Sequence, residues 1–102
     1  MLVLWPNCQL CGCDLPPDSG EALICSMECT YCRSCNAATL HDVCPNCGGN
    51  LESRPIRPKL EYRPGEGLAH NPAGTQRKMT RYSAEEIIGL SARLSGIAPK
   101  DR

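Results

Sequence analysis

The chain has no phenylalanine, one tryptophan and three tyrosines in 102 residues, so aromatic side chains cannot supply an ordinary apolar core. Small domains short of such a core usually need a disulfide, a metal or an oligomeric staple. Long apolar runs are absent too: no stretch approaches the roughly 20 residues that cross a bilayer, which argues against a membrane role. The start, MLVLWPNCQL, has no basic residue, a five-residue apolar run and no small-residue cleavage site. It does not read as a signal peptide, and a cytoplasmic location is expected. Catalytic patterns are lacking as well. There is no Ser/His/acid trio, paired-carboxylate motif or phosphate-binding glycine loop, so no enzymatic activity is expected.

What the chain has in excess is cysteine, nine in all, every one between Cys8 and Cys47. Disulfides require an oxidising compartment and would leave one of nine unpaired, whereas in reducing cytosol paired cysteines read as metal ligands. Cys8, Cys11, Cys25, Cys29, Cys32, Cys35, Cys44 and Cys47 are separated by 2, 13, 3, 2, 2, 8 and 2 residues. Zinc takes four thiolates at about 2.3 Å in a tetrahedron, and a C-x2-C turn presents two of those corners at once. In CQLCGC and CPNCGG the turn is followed by glycine, whose freedom to take positive φ lets backbone N–H groups point at the sulfurs. Buried reduced thiols or an iron–sulfur cluster fit this four-plus-four pattern less well. Two zinc ions are therefore the expected cofactor. Cys13 is the surplus thiol, either a spare or a redox or metal-exchange handle beside Cys11, which has the better knuckle spacing.

Composition changes after CPNCGG. Residues 1–49 carry a net charge of −4, residues 50–82 carry +4, and residues 83–102 balance, so a formal charge of zero hides an acidic head and a basic arm. Pro55, Pro58, Pro64 and Pro72 interrupt any helix in 50–82, which reads as an extended arm. Ser83-Ala-Glu-Glu86 is a capping box, followed by Ile87, Leu90 and Leu94 at helical spacing with Gly96 and Pro99 beyond, and predicts a helix over about 84–95. His41 reads as a surface residue, His70 as a residue without a partner, Trp5 as packing with Leu23, Ile24 or Tyr31, and Leu15-Pro16-Pro17 as a rigid turn.

The eight ligands admit two arrangements. Filled in sequence, as in LIM domains, Cys8, Cys11, Cys25 and Cys29 form one site and Cys32, Cys35, Cys44 and Cys47 the other. Interleaved, Cys8, Cys11, Cys32 and Cys35 share one ion and Cys25, Cys29, Cys44 and Cys47 the second. Order and gaps are similar to the RING pattern, with Cys29 where a histidine usually stands, Tyr31 before the fifth ligand and Pro45 inside the last knuckle; LIM loops are generally longer than the 13 and 8 residues here. The expected fold is thus a small metal-stabilised α+β head, a RING-like cross-brace zinc finger with short β-hairpins and one short helix over 1–49, then the arm and the C-terminal helix. The run from WPNC through DLPPDS, ICSMECTYCRSC and CPNCGG to RPIRP resembles the short bacterial proteins of the domain-of-unknown-function family twelve seventy-two, over about residues 1–58. That resemblance implies a bacterial cytoplasmic protein with a cysteine-rich metal-binding fold, and it brings no activity with it.

The leading functional expectation is a structural zinc module that docks a protein partner. The alternative is nucleic-acid binding through the basic arm, against which the acidic, thiolate-laden head weighs, since phosphate would meet negative charge there. Ubiquitin-ligase activity is weaker still. The usual Trp between the sixth and seventh ligands is missing, and Gly48 stands where a basic residue often follows the eighth.

Overall fold

The computed structural model describes residues 1–102. Its centre is a three-stranded antiparallel sheet in the order β2-β1-β3, made of β1 (Ala22–Ile24), β2 (Thr30–Cys32) and β3 (Glu52–Ser53). Ala22 pairs with Cys32, Leu23 with Tyr31 and Ile24 with Thr30, while Leu23 and Ile24 also face Ser53 and Glu52. Strands this short hold only because they are covered. Thr30, Tyr31 and Cys32 are all buried, and Tyr31 fills the centre with no exposed surface. The turn joining β1 to β2 is the Cys25–Cys29 segment, closed by the Cys25 N–H donating to the Cys29 carbonyl at 3.1 Å, with Glu28 in the left-handed region at φ 69°.

After β2 the chain makes one turn of helix, α1 (Arg33–Cys35), which widens over Asn36–Leu40 and ends where the His41 N–H reaches back to the Asn36 carbonyl at 2.8 Å. His41 and Asp42 both take positive φ there, and the Asn36 side chain accepts from the Asp42 N–H at 2.8 Å, holding the reversal. His41 is exposed. The core of the head contains eleven buried residues, four of them cysteines: Cys8, Cys25, Cys32 and Cys44. With so few purely apolar members, the core depends on what its thiols do.

The segment read as an arm returns to the head. Leu51 joins the core and β3 adds an edge to the sheet, so the head runs past residue 49. Arg54 is buried, its guanidinium donating to the carbonyls of Trp5 (2.8 Å), Leu15 (3.1 Å) and Pro16 (2.9 Å). Residues 58–71 then form a closed loop. Leu68 N–H donates to the Pro58 carbonyl, Arg57 donates to the carbonyls of Asn71 and Leu2, and His70, expected to stand alone, meets Glu61 at 2.6 Å. The chain next runs back along the N-terminal segment, Gly74 N–H to the Leu4 carbonyl and Thr80 N–H to the Gln9 carbonyl. Trp5 also departs from expectation: it lies half-buried outside the core, with the Lys78 ammonium 5.1 Å from its ring centroid, while Leu23 and Tyr31 are buried in the core without it.

The helix α2 (Ala84–Leu94) forms where the capping box places it. Ser83 Oγ accepts from the Glu86 N–H and the Glu86 carboxylate accepts from the Ser83 N–H. Its apolar face is docked on the head: Ile87 joins the core, and buried Ser91 donates from Oγ to the Leu40 carbonyl at 2.8 Å. Arg102 closes the chain over the same region, donating to the carbonyls of Asp42 and Gly48. No helix is long and apolar enough to cross a membrane.

Candidate metal centre

The first knuckle lies between Asn7 and Asp14, which form an isolated antiparallel bridge. Within it the Cys8 N–H donates to the Cys13 carbonyl at 2.9 Å and the Gly12 N–H to the Cys8 carbonyl at 2.9 Å, with Gly12 at φ 82°. The last knuckle repeats this at an offset of 36 residues. Cys44 N–H donates to the Gly49 carbonyl at 2.8 Å and Gly48 N–H to the Cys44 carbonyl at 2.8 Å, with Gly48 at φ 80°. The left-handed glycine turns the chain so that N–H groups converge on sulfur. Cys8 Sγ accepts from the N–H groups of Leu10 (3.4 Å) and Cys11 (3.5 Å), and Cys47 Sγ from Gly49 (3.4 Å). The other two turns act alike, Cys25 Sγ accepting from Met27 at 3.3 Å and Cys32 Sγ from Cys35 at 3.4 Å. Such donors stabilise thiolate over thiol, as metal-bound sulfur requires.

The sheet then decides which thiols meet. The sulfurs of Cys8, Cys11, Cys13 and Cys32 all lie within 4.8 Å of one another, and those of Cys25, Cys44 and Cys47 form a second such group. Cys35 stands beside the first, near enough to Cys32 and Cys11 for their thiols to hydrogen-bond, and Cys29 stands beside the second, in the same relation to Cys25 and Cys44. Each cluster thus joins segments distant in the chain, the first drawing on residues 8–13 and 32–35 and the second on residues 25–29 and 44–47. Antiparallel pairing of β1 and β2 makes this geometry: Cys25 and Cys29 flank the hairpin turn while Cys32 sits at the far end of β2, so the two sets point to opposite ends of the sheet.

The electrostatics show what such clusters need. The Cys11 thiol is lowered to about 7, mainly because the Cys13 N–H donates to it, and Cys29 is drawn down by the thiols of Cys25 and Cys44, then by the Asn46 amide and the charge of Lys78. Their neighbours move the other way. Cys44 is driven up by its contacts with Cys25 and Cys29, and Cys35 by burial and then by Cys32. In each cluster a thiol drawn down lies beside one driven up, so the crowded sulfurs oppose one another's charge. A divalent cation removes that conflict, and a donor set of crowded thiols fits a soft ion such as zinc.

A side-chain contact links the two knuckles. Asn46, inside the last knuckle, donates to Cys29 Sγ at 3.4 Å and to Gln9 Oε1, inside the first knuckle, at 3.5 Å; Thr80 Oγ1 donates to Asn46 Oδ1 at 2.8 Å. The Tyr31 hydroxyl lies 4.0 Å from Cys44 Sγ. Asn46 and Gln9, middle residues of two knuckles, carry no ligand signal in the sequence. Knuckle spacing leaves Cys13 outside the ligand set, yet its sulfur stands among the first group. The signal for Cys13 lies in the repeat of the two knuckles, since position 13 answers to position 49.

The family model described as "Protein of unknown function (DUF1272)" matches residues 1–57, more than half of the chain. The chain belongs to this family. A curated uncharacterised protein of Rhizobium meliloti (strain 1021) is 59% identical over 58 residues, covering 57% of this chain and 69% of the relative. No solved structure matches the chain at a significant level. The family match takes in all nine cysteines, the sheet, Arg54 and Arg57, whereas the closed loop after Arg57, the segment returning along the N-terminus and α2 lie beyond it.

The basic residues of 50–82 are mostly engaged with the head. Arg54 and Arg57 donate to carbonyls, Arg77 meets Asp14 at 2.7 Å, Lys78 covers Trp5, and Arg81 lies over the Tyr82 ring. The acidic head and basic arm therefore neutralise one another in part. Beside the second cluster, exposed Met27 and Met79 with Tyr82 and Thr80 line an open groove of about 450 Å³.

Proposed function

We propose that residues 8–47 hold two zinc ions in an interleaved, RING-like cross-brace, Cys8, Cys11, Cys32 and Cys35 on one and Cys25, Cys29, Cys44 and Cys47 on the other. The observation that carries this reading is the company each thiol keeps: Cys32 lies with Cys8 and Cys11, and Cys25 with Cys44 and Cys47. Sequential filling would require those partnerships to be exchanged across the sheet. An all-thiolate zinc site leaves no position for substrate or water, so the role is structural and non-catalytic. On this reading the head works in the cytoplasm as a platform for a protein partner.

Two features support a protein over a nucleic acid. Exposed apolar side chains include Met27 and Met79 on the head's flank and Leu60 and Tyr62 on the closed loop. Most of the basic side chains that would bind phosphate instead contact the chain's own carbonyls, carboxylates and rings. Only Lys59 and Arg63 of the arm's seven bases lack such a contact, a small footprint for a phosphate backbone. Ubiquitin-ligase activity has no observation in its favour.

The test is metal content and connectivity. Protein from reducing cytosol should carry two zinc ions per chain with no iron colour. After cadmium substitution, the Cys32→Ser, Cys35→Ser double variant should retain one ion coupled to Cys25, Cys29, Cys44 and Cys47. Couplings from Cys8, Cys11, Cys25 and Cys29 would establish sequential filling. Retardation of RNA or DNA that weakens with salt and needs residues 50–82 would replace the protein-docking reading.

A further inference from the structure

The first cluster has one thiol more than a tetrahedral ion can take. Cys8, Cys11, Cys13 and Cys32 are mutually within 4.8 Å, and Cys35 lies against Cys32 and Cys11. Five sulfurs thus surround four positions. The second cluster has four and no spare.

The placement of Cys13 follows from the knuckle itself. In the last knuckle the position equivalent to Cys13 is Gly49, and a Cβ built there would lie 3.4 Å from Cys47 Sγ. Because the two knuckles share their hydrogen bonds and the left-handed glycine, that position aims its side chain at the second sulfur of the turn. In the first knuckle it carries a thiol. Cys13 and Cys11 are also both exposed, so the crowded side of this cluster faces solvent.

We infer that the first cluster is a zinc-exchange site, in which Cys13 and Cys35 compete for the fourth position beside Cys8, Cys11 and Cys32, and that its ion can be passed to a thiolate-bearing acceptor. The inference rests on the two-zinc reading above. The swap is balanced within the chain: the zinc bond to Cys35 Sγ breaks, a bond to Cys13 Sγ forms, and the Cys13 proton passes to the departing Cys35 thiolate. No electron moves and the charge of the site is unchanged. Each swap gives the ion a moment of weakened attachment at the exposed side, where an outside thiolate can enter. With glycine at position 49 the second cluster has no such route, and its ion stays as a structural one.

The test uses the full zinc-loaded chain and an excess of a metallochromic chelator. Wild type should release its two ions in two phases, and Cys13→Ser should keep both ions while its fast phase slows several-fold. Cys35→Ser should also hold two ions, with Cys13 as the fourth ligand by cadmium coupling. The Cys13→Ser, Cys35→Ser double variant should hold one, as should Cys29→Ser, whose cluster has no substitute. A Cys35→Ser protein with one ion, or a Cys13→Ser protein with a wild-type fast phase, overturns the exchange site. Wild type with fewer than two ions would instead overturn the two-zinc reading.

Discussion

Replacing Arg54 by alanine should destabilise the head more than any other single change outside the cysteines, and the magnitude can be worked from its contacts. The guanidinium is buried and serves three carbonyls, from Trp5, Leu15 and Pro16, on two segments that also meet through the Leu15 N–H to Pro6 carbonyl bond and the Asn7–Asp14 bridge. Burial lowers its pKa, but arginine keeps its proton in a protein, so the cation stays and depends on those acceptors. Hydrogen bonds to a charged group contribute about 1.5 to 3 kcal/mol each, and relief from burying the charge returns part of the total. A net loss of about 3 kcal/mol is expected for Arg54→Ala, or a fall in Tm of about 12 to 24 °C for a domain of this size. Arg54→Lys has three donors but no planar fork and should recover about half. Urea unfolding read by the single tryptophan, Trp5, at fixed free zinc gives the comparison, since bound metal would otherwise shift the midpoint by mass action. An Arg54→Ala midpoint within about 0.5 kcal/mol of wild type would refute the account of Arg54 as the tie between the arm and the N-terminal segment.

On the two-zinc proposal, chelating the metal or protonating its thiolates with acid should unfold residues 1–54 as one unit, because structural zinc contributes roughly 10 to 16 kcal/mol in small fingers and the clusters interleave along the chain; a well-dispersed amide spectrum in excess chelator would contradict this. Gly12→Ala should cost about 1 to 2 kcal/mol for its left-handed backbone, its new methyl meeting only Met79 at 3.8 Å, whereas Gly48→Ala should cost more, because its methyl would lie 3.0 Å from the end of the Leu94 side chain, which must give way. Equal Tm losses for the two variants would show that α2 does not rest on the last knuckle. Tyr31 is raised well above the ordinary phenol value of 10.0, by burial first and then by the cysteine charges around it. A raised folded-state value means that the stability is intact below about 10 and is lost as pH climbs through it. Tyrosinate from Tyr31 should therefore appear only with cooperative alkaline unfolding, and Tyr31→Phe should move that unfolding to higher pH; smooth ionisation within the folded protein would disprove it.

Features set by neighbours along the chain are legible in the sequence. The knuckles depend on two cysteines and a glycine within six residues, and both glycines take the positive φ that this chemistry demands. The extent of α2 follows from Ser83 and Glu86 and a short apolar periodicity, and the helix ends at Leu94, within a residue of expectation. The charge split between head and arm is equally plain, but its consequence is not. Whether Arg77 meets solvent, phosphate or Asp14 depends on a contact 63 residues away, which no local pattern encodes.

Local chemistry is enough to make this chain a cysteine-rich head built on short-range turns with a capped helix at its end, because those features are competitions between nearby backbone and side-chain hydrogen bonds. Which thiols gather is a matter of tertiary pairing, since β1 against β2 sends Cys32 to one end of the sheet and Cys25 and Cys29 to the other. The assembled fold also brings Cys13 into the first group, seats Trp5 under Lys78 instead of in the core, and folds the proline-rich segment back to bury Arg54. Each of these outcomes is settled by packing between distant residues, where several partners compete for one position and only their joint arrangement selects among them.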